Sequence, residues 1–226
     1  MFQYVIRFSK TGTICYTSHL DLMRMFKRAF KRAGIKLAYS QGFNPHPKMG
    51  FAQPLSLGYW GLKELMEFET TEDHEPSALL KGLKEQMPEG IELVECRRLE
   101  GIRKTLAAET VSAEYIVAIP LERPLEQTGE QMKEAYLSCE KISAWKRQKK
   151  KKDLKEIDIK PMIREITFTP EEETLFITAV LDSGSVSNLS PELVIATVQE
   201  LFHIRADRSE VEVMRREIGF NPGVME

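Results

Sequence analysis

The feature that most constrains the fold is the spacing of apolar and basic residues between Ser18 and Gly34. At about 100° per residue of a helix, one side of this segment collects the apolar residues Leu22, Met23, Phe26, Ala29, Phe30 and Ala33. The opposite side collects the basic residues Arg24, Lys27, Arg28, Lys31 and Arg32. Ser18 is a favourable N-cap, Asp21 completes a pair resembling a capping box, and Gly34 is a typical helix end. The pattern predicts an amphipathic helix with a cationic outer face.

The first hundred residues predict strands and a second helix around this basic helix. Apolar alternation indicates strands over residues 3–9, 35–39, 62–70 and 91–97, with a further pairing segment over 51–57. Helical spacing indicates a helix over 76–87. The resulting order, β-α-β-β-α-β, is that of a ferredoxin-like domain, which we assign to residues 1–100.

The second half repeats this order of elements more loosely, after a charged connector over residues 98–110. Strands are indicated over 113–119, 142–147 and 211–218, a hairpin over 165–169 and 175–181, and helices over 125–137 and from Ser190 to about Phe202. The sequence therefore predicts an α+β protein with two ferredoxin-like domains in tandem. The second and looser domain covers residues 111–226 and carries a lysine-rich loop.

The composition, with 42% hydrophobic and 29% charged residues, is sufficient for a hydrophobic core. No apolar run approaches the roughly 18 residues of a membrane span, and the N-terminal residues MFQYVIRFSK lack the apolar core of a signal peptide. We therefore expect a cytoplasmic protein. Cys15, Cys96 and Cys139 are widely separated, which argues against a disulfide framework, a local zinc site or an iron–sulfur cluster bound by this chain alone. We expect three reduced core cysteines.

The net charge of −2 hides a strong asymmetry along the chain. Residues 1–50 contain nine basic residues and one acidic residue, a local charge of +8, so the rest of the chain sums to −10. A second basic run extends from Lys146 to Lys152. Such local asymmetry favours a polyanionic partner.

Two interpretations of the basic helix face stay open. In the first, Arg24, Arg28, Lys31 and Arg32 neutralise phosphates of a nucleic acid, which gives an affinity that depends on salt and hardly on base sequence. In the second, the face is only a solvated helix surface. Almost no acidic residues share this face, so repulsion among its basic side chains is uncompensated, and this favours the polyanion site.

The segment from Tyr39 to Lys48, YSQGFNPHPK, is rich in residues that exclude regular structure. Its glycine and asparagine accept unusual backbone angles, and its two prolines remove backbone donors. One hypothesis is a rigid connector that inserts Phe43 into the core. The other is a pocket for an anion or nucleotide, in which Tyr39 or Phe43 stacks on a base. The further side chains of that pocket are Ser40, Asn44, His46 and Lys48.

A catalytic alternative rests on His19 and His46. Two imidazoles can share general acid and base roles in metal-independent RNA cleavage. His19 falls on the apolar side of the helix, however, where a packed histidine is the common case, and nothing in the spacing brings His46 close to it. We expect no metal site, because His19 and Asp21 point to different helix faces, and Asp21 fits a role in capping and in pairing with Arg24 or Arg28.

Several motifs together resemble one bacterial family. They are Arg7-Phe8-Ser9-Lys10-x-Gly12, Ser18-His19-Leu20-Asp21-x-x-Arg24, Arg28-Ala29, Arg32-Ala33-Gly34, and Ala38-Tyr39-Ser40-x-Gly42-Phe43-Asn44-Pro45-His46-Pro47-Lys48. Pro54, Leu57-Gly58 and Glu64 continue the match. The family is DUF2344, known as radical SAM-linked or radical SAM-associated proteins. Gly61 departs from the resemblance, since a serine is expected at this position.

The resemblance implies an association more than a mechanism. Members are fused to a radical SAM enzyme or encoded beside one, often near genes for ribonuclease G and ribosomal proteins. This implies a radical SAM enzyme as partner and a role linked to RNA modification or the ribosome. The chain lacks the C-x-x-x-C-x-x-C motif of the enzymes themselves, so we expect no cofactor of its own.

Three functions are therefore open. The first is a non-catalytic accessory protein that binds RNA or another polyanion. The second is a metal-independent endoribonuclease that uses His19 and His46. The third is an adaptor that binds only the radical SAM enzyme.

Overall fold

The structure is a computed structural model that describes residues 1–100, 104–147 and 154–225. The described residues contain five α-helices and ten β-strands, so the predicted α+β class is confirmed. The chain divides into two compact units. Unit 1 comprises Met1–Thr110 with Phe220–Glu226, and unit 2 comprises Val111–Gly219.

Unit 1 is built on an antiparallel sheet covered by helices. Its elements are β1 (Phe2–Lys10), α1 (His19–Arg32), β2 (Met49–Phe51), β3 (Trp60–Thr70), α2 (Pro76–Lys84), β4 (Ile91–Leu99) and α3 (Leu106–Glu109). A 3-10 helix, Gly12–Tyr16, precedes α1. β1 pairs with both β3 and β4, and β2 pairs with the other edge of β3, so the strand order is β4-β1-β3-β2.

Aromatic residues join α1 to this sheet. Alternation along β1 directs Tyr4, Ile6 and Phe8 towards the helices, where they are almost fully buried. The ring of Phe26 on α1 meets that of Phe8 edge to face, with centroids 5.2 Å apart. One turn later, Phe30 packs on Phe68 of β3 at 4.7 Å. Burying each large apolar side chain contributes about 1.5–3 kcal/mol, so these contacts fix which face of α1 is turned inwards.

The ends of α1 follow the predicted capping. The Ser18 hydroxyl accepts a hydrogen bond from the Asp21 amide, at 3.2 Å. At the other end Gly34 has φ of +72°, and its amide donates to the Lys31 carbonyl while the Ile35 amide donates to that of Phe30. These two bonds form a Schellman motif, which requires a residue that accepts positive φ. The prediction of a helix between Ser18 and Gly34 is confirmed.

A buried lysine positions the start of α1. Lys10, at the end of β1, is almost completely inaccessible to solvent. Its ammonium group donates to the carbonyls of Cys15 and Thr17, both at 3.0 Å. Because a buried ammonium must be hydrogen-bonded, these bonds hold the 3-10 helix and the chain entering α1 against the sheet.

Unit 2 contains four sheet strands and a separate two-stranded hairpin. Its elements are β5 (Thr110–Pro120), α4 (Gly129–Ser138), β6 (Ser143–Arg147), β7 (Leu154–Asp158), β8 (Ile163–Pro170), β9 (Thr174–Asp182), α5 (Pro191–Leu201) and β10 (Glu212–Phe220). The strand order is β10-β5-β9-β8, and β6 pairs with β7 in a two-stranded sheet. The hairpin predicted around Pro170 and the helix starting at Pro191 are confirmed.

Four element predictions are corrected. Residues 35–39 do not form a strand, since only isolated bridges join Leu37 to Thr70 and Tyr39 to Pro47. The strand expected over 51–57 is Met49–Phe51, because Pro54 has no amide hydrogen to extend the pairing. The connector over 98–110 contains α3, whose N-cap is Thr105. Strand β7 was missed because its alternation is weak. The lysines at 149–152 of the predicted loop lie outside the described residues.

Gly61 gives a test of the packing around Glu64. A Cβ at this position would lie 2.6 Å from Cγ of the buried Glu64. We expect Gly61→Ala to lower the free energy of unfolding by about 1–3 kcal/mol through overpacking, measured by urea denaturation. Gly50→Ala is the matched control, because nothing lies within 4 Å of its Cβ position. Equal stability of the two variants would contradict the close contact.

Candidate functional site

The outer face of α1 forms one wall of a cleft of about 650 Å³. Three arginines spaced four residues apart, Arg24, Arg28 and Arg32, line this wall. The opposite wall is the segment 85–88, which follows α2. This opposite wall was missed in the sequence, because its approach to α1 depends on packing between distant segments.

The three arginines differ in how they are held. Arg32 is fixed across the cleft, with Nε 3.1 Å from Oε1 of Gln86 and Nη2 2.9 Å from the carbonyl oxygen of Gln86. Arg24 pairs with Asp21 along the helix, with Nη1 2.9 Å from Oδ1. Arg28 lies between them and has no direct hydrogen bond or ion pair to any described residue. Its guanidinium group is therefore available to an anion.

Asp21 acts as an ionised structural group. Its carboxylate accepts a hydrogen bond of 2.7 Å from the Ser18 hydroxyl and a second from Arg24. The Ser18 hydrogen bond, followed by that of Arg24 and the charge of Arg28, lowers the pKa of Asp21 below its usual value. A carboxyl group held ionised is a poor proton donor, which agrees with the predicted role in capping and pairing.

The other edge of the basic face meets the loop that follows α1. The ammonium group of Lys27 lies 5.9 Å from the centre of the Tyr39 ring, which is within the range of a cation–π contact. Tyr39 is 44% exposed. The basic face thus extends from the Arg32–Gln86 contact on one side to the Lys27–Tyr39 contact on the other. Sequence patterns do not predict the contact between Lys27 and Tyr39.

The loop between Tyr39 and Lys48 is closed at its base. Tyr39 and Pro47 form an antiparallel bridge, the Ser40 amide donates to the His46 carbonyl at 2.8 Å, and the Ser40 hydroxyl accepts from the His46 amide at 3.0 Å. Ser40 and His46 are therefore used to close the loop. The peptide bonds before its two prolines are trans.

The tip of the loop faces water. Asn44 is exposed, and Phe43 has a relative exposure of 112%. The hypothesis that Phe43 is inserted into the core is therefore wrong. The neighbouring residues Leu37 and Phe51 take core positions instead.

Lys48 belongs to a different part of unit 1 from the arginines. Its ammonium group is 2.8 Å from Oε2 of Glu69, and both residues line a second cleft, of about 380 Å³, with Met49, Phe51 and Thr105. The predicted site residues are thus divided between the arginine cleft, the loop and this second cleft. Of the predicted site residues, Arg24, Arg28 and Arg32 line one cleft wall in the described part of the chain.

The two histidines occupy unlike environments. His19 is half-buried, and its ring meets that of Phe51 edge to face at 5.3 Å, while His46 is exposed. No hydrogen bond or ring contact joins them in the described part of the chain. The packing expected for His19 is observed, and the ribonuclease hypothesis stays a prediction.

The cysteines, possible metal ligands and possible membrane spans can also be compared with the expectations from the sequence. All three cysteines are free; Cys15 is buried, and Cys96 and Cys139 are half-buried. Burial raises the pKa of the Cys96 thiol to about 12. In residues 1–100, 104–147 and 154–225, no three His, Cys, Asp or Glu residues are placed to hold a metal ion. The helices within these ranges are too short or too polar to cross a bilayer.

Comparison with known families identifies the chain. The family model described as "Uncharacterized protein conserved in bacteria (DUF2344)" matches residues 3–191, from β1 to the first residue of α5. The chain belongs to the DUF2344 family. The match includes α1, the loop and all lining residues of the arginine cleft and of the second cleft beside Lys48. No curated protein matches the chain.

Solved structures extend the comparison to the fold. The chain is similar to one in a crystal structure of a Cbf5-Nop10-Gar1 complex, at 12% identity and a TM-score of 0.53. The alignment covers 97% of this DUF2344 chain and 50% of the other, so this chain spans about half the length of its match. This similarity concerns the fold alone. A crystal structure of an unknown protein from Galdieria sulphuraria matches over 97% of this chain and 98% of the other, at 13% identity and a TM-score of 0.29.

Ser18→Ala tests the capping of α1 and the state of Asp21. Loss of the hydroxyl removes the cap and the hydrogen bond to the carboxylate, so we expect about 1 kcal/mol lower stability and a higher pKa for Asp21. Because folding lowers the pKa of Asp21, its carboxylate stabilises the folded protein at pH values above the pKa of the unfolded chain, which is near 4. This stabilisation is lost as the pH falls through the lower pKa of the folded protein. NMR titration of Asp21 and urea unfolding between about pH 2 and 6 measure both effects.

The control for this variant is Ser77→Ala. Ser77 is exposed in the first turn of α2 and makes no side-chain hydrogen bond to the described residues. The Ser77→Ala substitution should leave both the stability of the protein and the pKa of Asp21 unchanged. An unchanged Asp21 titration in Ser18→Ala would show that the cap does not hold the carboxylate.

Proposed function

We propose that this DUF2344 protein is an RNA-binding or polyanion-binding accessory module, and that its phosphate-binding surface is the outer face of α1. The observation that carries the proposal is the row of Arg24, Arg28 and Arg32 along one cleft wall. Arg32 is fixed by Gln86, and Arg28 has no direct partner among the described residues. A fixed cation loses little side-chain entropy on binding, and an unpaired one breaks no ion pair.

The geometry of the row favours a polymer of anions. Residues four apart on a helix are about 6 Å apart along its axis, so the three arginines extend over about 12 Å. A single small anion contacts one or two guanidinium groups, whereas successive phosphates of a nucleic-acid strand can contact all three. Lys27 and Lys31 widen the basic face to about 140° of the helix circumference, at 3.6 residues per turn. Backbone contacts of this kind carry little base specificity.

We also infer that the two units correspond to ferredoxin-like domains, one over residues 1–100 and one over 111–226. The support is the strand order, β4-β1-β3-β2 in unit 1 and β10-β5-β9-β8 in unit 2. We number the strands of each unit from one to four in chain order, leaving out the β6–β7 hairpin. The spatial order of the strands is then 4-1-3-2 in both units, which is the order in a ferredoxin-like β-α-β-β-α-β domain.

The partner we propose is a radical SAM enzyme. The support is the run of motifs between Arg7 and Glu64 that resembles radical SAM-linked proteins. Affinity purification of the tagged protein from RNase-treated cells should recover an enzyme with a C-x-x-x-C-x-x-C motif, identified by mass spectrometry. If the enzyme is recovered only without RNase, the two proteins share an RNA and not an interface, and the proposed direct partnership fails.

Arg28→Ala tests the phosphate-binding surface. If Arg28 contacts one phosphate of a single strand, its removal should weaken RNA binding and lower the slope of log affinity against log salt by about 0.7. Stability should hardly change, because Arg28 has no direct partner in the described part of the chain. Filter binding of total RNA over a potassium chloride series measures both quantities. The double variant Arg24→Glu/Arg28→Glu should abolish binding.

Arg205→Ala is the matched control. Arg205 is an exposed arginine of unit 2 that follows α5. The Arg205→Ala substitution removes one positive charge from the protein, as Arg28→Ala does, but leaves α1 unchanged. The slope of log affinity against log salt should therefore equal that of the wild type. If Arg24→Glu/Arg28→Glu binds total RNA as tightly as the wild type, α1 is not the binding surface.

A further inference from the structure

The loop after α1 exposes an aromatic ring that the fold does not use. Phe43 has a relative exposure of 112%, whereas Phe8, Phe26, Phe30, Phe51 and Phe68 of the same unit are buried. Its neighbours in the loop, Gln41, Asn44 and His46, are exposed polar residues. Phe43 is therefore an isolated ring among hydrogen-bonding groups. A surface for docking a protein usually has a contiguous apolar patch instead.

The loop presents this ring on a defined base. The Tyr39–Pro47 bridge and the two Ser40–His46 hydrogen bonds close the loop below its tip. Pro45 and Pro47 restrict the backbone further, because their φ angles are fixed by the side-chain ring. Ordering a ligand against Phe43 therefore costs less chain entropy than it would in an open loop.

The same loop joins the aromatic surface to the basic face of α1. Lys27 of α1 lies over the Tyr39 ring at 5.9 Å, and Tyr39 keeps 44% of its surface exposed. Phe43 is four positions after Tyr39, so their Cα atoms lie within about 14 Å of each other. Along the chain, the exposed rings of Tyr39 and Phe43 thus come shortly after the basic residues of α1.

We propose that the ligand of this surface is a single-stranded nucleic acid, with phosphates on α1 and unpaired bases stacked on Phe43 and Tyr39. The inference rests on the proposed function and names its substrate class. Cationic grooves combined with exposed aromatic rings are the means by which proteins hold single strands without reading their sequence. In a duplex the base faces are covered by neighbouring pairs, so the rings have nothing to stack on. Lys27 contributes the cation beside the Tyr39 ring.

The test compares one strand in two states. Fluorescence anisotropy measures binding of a labelled oligouridylate of about 12 nucleotides, alone and annealed to oligoadenylate. Phe43→Ala should weaken single-strand binding by about 5- to 150-fold, the range found when a stacking residue is replaced by alanine. Duplex binding and the salt slope should stay unchanged, because no charge is removed. Tyr39→Ala should act in the same direction.

Two further substitutions separate stacking from simple apolar contact. Phe43→Trp keeps an aromatic face and should bind the single strand as tightly as the wild type, with its tryptophan fluorescence quenched by RNA. Phe43→Leu keeps the apolar character without an aromatic face and should bind as weakly as Phe43→Ala. Val186→Ala is the control for loss of an exposed apolar side chain, since Val186 in unit 2 is 99% exposed. It should have no effect.

The outcomes distinguish this inference from the proposed function. If Phe43→Ala and Tyr39→Ala bind the single strand like the wild type while Arg24→Glu/Arg28→Glu does not, stacking is overturned and the polyanion site stands. If all of these variants bind like the wild type, both proposals fail. If Phe43→Ala binds RNA like the wild type but no longer captures a protein from cells, the ring is an apolar docking contact and stacking is overturned. The same conclusion follows if Phe43→Leu binds the single strand as tightly as the wild type.

Discussion

The packing of α1 on its sheet is the interaction on which the rest of unit 1 depends. Phe26 and Phe30 contact Phe8 of β1 and Phe68 of β3, and these rings are almost fully buried. Rotating α1 by half a turn would expose this surface to water and bury five basic side chains without partners. Because both changes are unfavourable, the basic face can only point outwards. The chemistry of the site is thus a consequence of how the core is packed.

Contacts at the edges of α1 turn this basic face into a shaped surface. On one side, Arg32 donates to both the side chain and the backbone of Gln86, so the segment that follows α2 becomes the far wall of the cleft. On the other side, Lys27 lies over Tyr39 and connects the face to the closed loop. Arg28 lies between these contacts without a direct partner in the described residues. The same helix therefore combines fixed cations with an available one.

Local patterns predicted some parts of this arrangement well. The helix between Ser18 and Gly34, the pairing of Asp21 with Arg24 and the packing of His19 all depend on residues within one or two turns, or on which side of a helix is apolar. The strand expected over 35–39 failed because pairing of this segment with β3 is limited to the bridge between Leu37 and Thr70, and alternation does not show how far a pairing extends. The insertion of Phe43 failed because the loop closes on itself through Tyr39, Ser40, His46 and Pro47 and leaves its tip in water, while Leu37 and Phe51 take the core positions.

The sequence by itself determined that the chain forms an α+β protein, that α1 is amphipathic and capped, and that its outer face is cationic, since these follow from side-chain periodicity and local hydrogen bonding. Only the tertiary structure decided which predicted residues share a surface. It separated Lys48, paired with Glu69, from the arginine cleft, and it used Ser40 and His46 to close the loop. It also left Phe43 in water. The physical reason is that these outcomes depend on contacts between segments far apart in the chain.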